Sequence, residues 1–179
     1  MNELAAKKAL RVQIALDAIK LLRAKKLKAE FGSFVWLAGE RENTTAPSDL
    51  KDIVSSSSKG KACHVCALGA AFVATIMKEE NSCSVSEYFG EYSRAVDTDK
   101  MFKKLLEVFP LSTIEKMEIA FEGGEGWYQD VEGEIPEAVS DDCFDVYADL
   151  YKHIEDDEDR LIAIMQNVAD HEGDLVVPE

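Results

Sequence analysis

Between Ala62 and Met77 the chain runs ACHVCALGAAFVATIM, and His64 and Thr75 are its only clearly polar residues. Read at helical spacing, Cys66, Gly69/Ala70, Val73 and Met77 share one face, but the remaining faces are apolar too. A helix hydrophobic all round has no side to offer water and must be enclosed by other elements. Ala67, Gly69, Ala70, Ala71 and Ala74 keep it thin, so neighbouring helices can come close. The pattern predicts a buried helix over 62–78 at the centre of the fold, for which the rest of the chain supplies the walls.

Those walls read as helices. Residues 3–29 hold no Gly or Pro, and Leu10, Ile14 and Leu21, with Val12, Leu16, Ile19 and Leu22, recur at helical spacing. They predict a long amphipathic helix of about 40 Å. Its polar side is basic, with Lys7, Lys8, Arg11, Lys20, Arg23, Lys25, Lys26 and Lys28. FGSFVWLAG (31–39) suggests a short strand or buried turn, and the polar stretch 40–61 a loop with a short helix after Pro47-Ser48. Capping-box patterns at Ser84-x-x-Glu87 and Ser112-x-x-Glu115 open two further helices. Another amphipathic helix over 97–109 stops at Pro110, and Gly123-Gly124 closes the one before an acidic Gly-rich loop, 122–136. Two more helices follow, the first with Cys143, Val146/Tyr147, Leu150/Tyr151 and Ile154 on one face. The second ends at Gly173, and Leu175-Val176-Val177 suggest a small terminal strand.

The expected architecture is mainly α: a single-domain helical bundle over 1–179 with at most a small β element. The length suits one domain, and a chain of this size folds without a metal or disulfide. No apolar run reaches the ~18 residues of a membrane span, and Met1 leads into a charged helical pattern rather than a signal core. The four cysteines, Cys63, Cys66, Cys83 and Cys143, are irregularly spaced, as in a reduced compartment. A cytoplasmic location is expected.

Charge is divided unevenly. Residues 1–78 carry 13 Lys/Arg and 7 Asp/Glu, whereas residues 79–179 carry 7 and 28, for a net −15 overall. The acidic helical half, 84–179, would repel nucleic-acid phosphates, which are bound by Lys/Arg. A basic protein partner, or simple solubility, fits such a charge better. Asp141, Asp142, Asp156 and Asp157, beside helix starts, are candidate contact residues, though acids there also serve as caps. Trp127 and Tyr128 in the Gly-rich loop are candidate anchors, since aromatics are enriched at binding hot spots, though such a pair can equally cap the core. The basic helix 3–29 could pair with an acidic half within one chain or between two, which would make a homo-oligomer.

Enzymatic readings find less support. SSSSKGKA (55–62) lacks the first glycine and the Ser/Thr of a phosphate loop. The acidic runs lack the spacing and central Gly of a calcium-binding EF-hand. Cys63-His64-Val65-Cys66 is half of a zinc motif, but the second knuckle is absent. A nucleophilic Cys66 or Cys63 would need a base from His64, His153 or His171. The alternative function, a cysteine-dependent enzyme or zinc protein, therefore centres on Cys63, His64 and Cys66. The principal reading takes both cysteines as packing residues, with no cofactor and no catalytic residues.

The segment Cys66-Ala67-Leu68-Gly69-Ala70, opening a helix after an aromatic segment and a polar loop, resembles a motif of small uncharacterised bacteriophage and bacterial proteins. In these a Cys-x-Leu-Gly-Ala segment forms the core helix. The terminal RLIAIMQNVADHEGDLVVP is similar to tails of phage-encoded proteins, and the likeness covers about 60–77 and 158–178. The long basic first helix departs from it. The resemblance implies a phage or prophage origin, hence a host cytoplasm if phage-encoded, and no known catalytic residues. The combined expectation is a non-enzymatic acidic interaction protein. It would bind, and could inhibit, a basic nucleic-acid-handling protein by mimicking nucleic acid.

Overall fold

A computed structural model of the chain describes residues 2–37, 49–56, 63–79, 85–89, 95–123 and 141–178. Within these, the apolar segment splits into two elements. Cys63–Val65 is a strand, β3, and the central helix α3 begins afterwards and spans Ala67–Glu79. The expected buried helix 62–78 is corrected at its first turn. Cys63, His64 and Val65 are paired on both sides, which a helix could not satisfy. β3 lies between β1 (Leu27–Ala29), to which it is parallel, and β2 (Val35–Leu37), to which it is antiparallel. His64 sits opposite Lys28 on one side and Trp36 on the other. Successive strand residues face opposite ways, so Cys63 and Val65 are buried while His64 is half-exposed.

The enclosure of α3 is as the sequence requires. Leu68, Phe72, Val73, Ala74 and Ile76 are fully buried. The walls come from α1 (Glu3–Arg23), α5 (Thr98–Leu106), α6 (Leu111–Glu122) and α8 (Asp157–Asp170). Two shorter helices, α2 (Leu50–Ser56) and α4 (Val85–Tyr88), and α7 (Asp141–Leu150), which packs on α6, complete the set. The chain is mainly helical with a small three-stranded sheet. At Gly69 only a glycine fits, because a Cβ there would fall 1.5 Å from the Phe34 carbonyl oxygen. The first turn of α3 thus touches the turn before β2, and Cys66 N–H donates to Ser33 O at 2.6 Å.

The long first helix stops at Arg23, six residues short of expectation. Lys25 adopts φ +57°, and the N–H groups of Lys25 and Lys26 reach back to Leu22 O and Leu21 O at 2.8 and 2.9 Å. That pattern is a Schellman stop, usually marked by Gly; here a lysine fills the left-handed position and hides the signal. The freed residues 27–29 become β1. Ile14, Ala15, Ala18, Ile19 and Leu22 of α1 are buried, with α3 and α8 of the same chain as its neighbours, while Leu16 stays exposed. Lys8 pairs with Glu172 and Lys25 with Glu158, so basic helix and acidic half meet within one chain.

Two other local expectations change. α6 opens at Leu111 after Pro110 with no side-chain cap, so Ser112 and Glu115 form no capping box. Residues 175–177 form no strand; instead Asn167 pins Val176 from both sides, donating to its O at 2.7 Å and accepting its N–H at 2.9 Å. Gly123, at φ +73°, closes α6 as its sequence indicates.

Candidate functional site

The Cys63-His64-Cys66 set does not converge. Cys63 points into the core, where burial pushes its thiol up to about 12. His64 turns away and donates from Nδ1 to the Glu30 carboxylate. Cys66 is the residue before α3, and its carbonyl accepts Ala70 N–H at 2.9 Å. This corrects the three-residue ligand set, because strand alternation separates Cys63 from His64 and the following turn takes Cys66 elsewhere.

Cys66 instead meets α6. Its thiol donates to Glu118 Oε2 at 3.7 Å, and the ligand atoms of Cys66, Glu118 and Glu122 all lie within 4.8 Å of one another. Cys66 and Glu118 are buried and Glu122 is half-buried. Gly32, held at φ +74°, donates its N–H to both Glu122 oxygens at 3.0 Å. Burial raises the Glu122 pKa; the Gly32 N–H opposes this, Asp157 adds to it and Arg160 offsets it. Burial also holds the Cys66 thiol well above its ordinary value, reinforced by the Glu118 and Glu122 carboxylates and opposed by the Gly69 and Leu68 amides. A thiol so protonated is a poor nucleophile.

Glu118 and Glu122 do not stand out in the sequence as a site. Eight of the twelve residues of LSTIEKMEIAFE are buried, Glu115 and Glu118 among them, which places these acids in the interior.

The acidic half presents its other carboxylates differently. Asp145, Val146 and Asp149 are exposed on α7, Glu155 and Asp156 in the connection, and Asp159 at the start of α8. Residues 141–178 hold 12 Asp/Glu and 2 Lys/Arg. Both bases are engaged locally. Lys152 Nζ donates to Asp149 at 3.2 Å, and Arg160 donates to Ile154 O at 2.8 Å and Phe121 O at 3.3 Å. Of the four expected contact acids, Asp156 is the N-cap of α8, accepting Asp159 N–H at 2.9 Å, and Asp157 lies 3.7 Å from Arg160. Asp141 and Asp142 form the first turn of α7. The side chains of those two, together with Trp127 and Tyr128, lie outside the described residues.

A shallow cleft lined by Glu87, Tyr88, Lys100, Lys103, Lys104 and Glu107 adds little chemistry, since Lys100 bonds Glu87 O and Lys104 pairs with Glu107. No helix among the described residues is long and apolar enough to cross a membrane. The chain matches no protein-family model, no curated protein and no solved structure.

Proposed function

We propose that this is a non-enzymatic interaction protein whose acidic corner, where α7 meets α8, binds a basic partner. One observation supports this reading most: exposed carboxylates crowd that corner while its two bases are already engaged. Lysine and arginine of a partner would therefore meet carboxylates in excess of the corner's own bases. Val146, 45% exposed between Asp145 and Asp149, gives the corner an apolar contact amid the charge. Steering by such a field speeds encounter and weakens with salt.

In its sharper form the partner is a nucleic-acid-handling protein, and the carboxylates take the place of phosphates, as the phage resemblance suggests. DNA or RNA would then compete for the same partner. The test leaves the cap at Asp156 intact and reverses Asp145, Asp149 and Glu155 to Lys together. Tagged wild-type protein should retain a basic protein from lysate at low salt and release it as salt rises. The triple variant, equally helical, should not retain it, and added duplex should displace it from the wild type. Retention that the triple variant leaves unchanged would contradict the proposal.

A further inference from the structure

Cys66, Glu118 and Glu122 supply one sulfur and two carboxylate donors from the N-terminal edge of α3 and from α6, gathered in the interior beside a backbone turn. A tetrahedral zinc-class cation holds thiolate sulfur at about 2.3 Å and carboxylate oxygen at about 2.0 Å, which sets the two donors about 3.5 Å apart. Cys66 Sγ and Glu118 Oε2 stand 3.7 Å apart, so this pair needs almost no movement. The donors are also oriented from behind. Gly32 N–H fixes the Glu122 carboxylate through both oxygens, and Cys66 N–H is held by Ser33 O at 2.6 Å. Outer donors of this kind commonly hold metal ligands in place. The close approach that Gly69 permits locks the Cys66 end of α3 against the 33–34 backbone, so the cluster is built on fixed elements.

We infer that Cys66, Glu118 and Glu122 form a binding site for a divalent cation of the zinc class, with one coordination place left for water. The sulfur selects zinc over magnesium or calcium, which prefer all-oxygen sets. Half-buried Glu122 marks the side from which the ion enters. Binding replaces three of the ion's waters with one sulfur and two carboxylate oxygens, the Cys66 S–H···Glu118 hydrogen bond gives way, and the thiol proton with any carboxylate proton passes to solvent. Bound there, the ion would join α3, α6 and the Gly32 turn.

The test uses the full chain stripped by a chelator and titrated with Zn²⁺ against a chromophoric competitor. One equivalent should bind per chain, and Cys66→Ser and Glu118→Gln should each weaken it by more than about 100-fold, beyond the usual effect of losing an outer partner. Cys63→Ala and His64→Ala should leave the affinity within about 3-fold, as expected of residues that are not ligands. Co²⁺ in the wild type provides a readout independent of how the variants fold: a thiolate-to-cobalt absorption band should appear at one equivalent. No such band, or zinc binding that survives Cys66→Ser or vanishes with Cys63→Ala, would overturn the site.

Discussion

The acids of α6 and those of the α7–α8 corner are the same residue types in opposite settings. Glu115 and Glu118 are buried in a helix two thirds of whose residues are buried, and Glu122 is held by a backbone N–H. Asp145, Asp149, Glu155 and Asp159 stand in water beside bases already engaged. The contrast teaches that an acidic composition has two separate consequences. Exposed carboxylates build a long-range field and have little effect on folding. Buried ones are costly unless paired, so they define specific chemistry.

The same charge reversal made in both settings separates them most sharply. Glu118→Lys should destabilise by about 3–5 kcal/mol, as an enclosed charge losing its setting does, whereas Asp145→Lys should stay within about 0.5 kcal/mol. Urea unfolding of the two variants checks this; equal effects would erase the distinction. Next in size is the response to alkali. The Cys63 thiol of the folded chain is raised to about 12 from an ordinary 9.0. Unfolded chains lose this proton first, so stability is fully present below pH ~9 and falls as pH rises towards 12, by up to about 1.4 kcal/mol per pH unit. Urea midpoints between pH 8 and 11 should fall less steeply in Cys63→Ala. A smaller effect tests an exposed acid with a structural role: Asp156→Ala removes the cap on α8 and should cost about 1 kcal/mol, visible as a lower melting temperature. Smallest is the triple reversal of Asp145, Asp149 and Glu155, which should leave thermal stability nearly unchanged while altering partner binding.

The central helix and the amphipathic helices around it are legible in the sequence because periodicity reports burial directly. The positions that read wrongly share a physical cause. Lys25 takes a glycine's place at the end of α1, so composition carries no warning of the stop. Cys63-His64-Val65 is too short a strand for its alternation to stand out from the apolar run that follows, and its pairing depends on residues 27–29 and 35–37. The meeting of Cys66 with Glu118 spans 52 residues of sequence. Nothing local to CHVC encodes it. The corner charges are visible as a run of acids, but which of them cap, pair or face solvent is decided only by where α8 begins.

The most direct measurement compares partner retention by wild-type protein, the Asp145/Asp149/Glu155→Lys triple variant and Glu118→Gln at low and moderate salt. Loss in the triple variant, with Glu118→Gln binding as wild type and releasing as salt rises, is the predicted result. Retention by the triple variant together with loss in Glu118→Gln would contradict the account and move function to the buried acids beside Cys66.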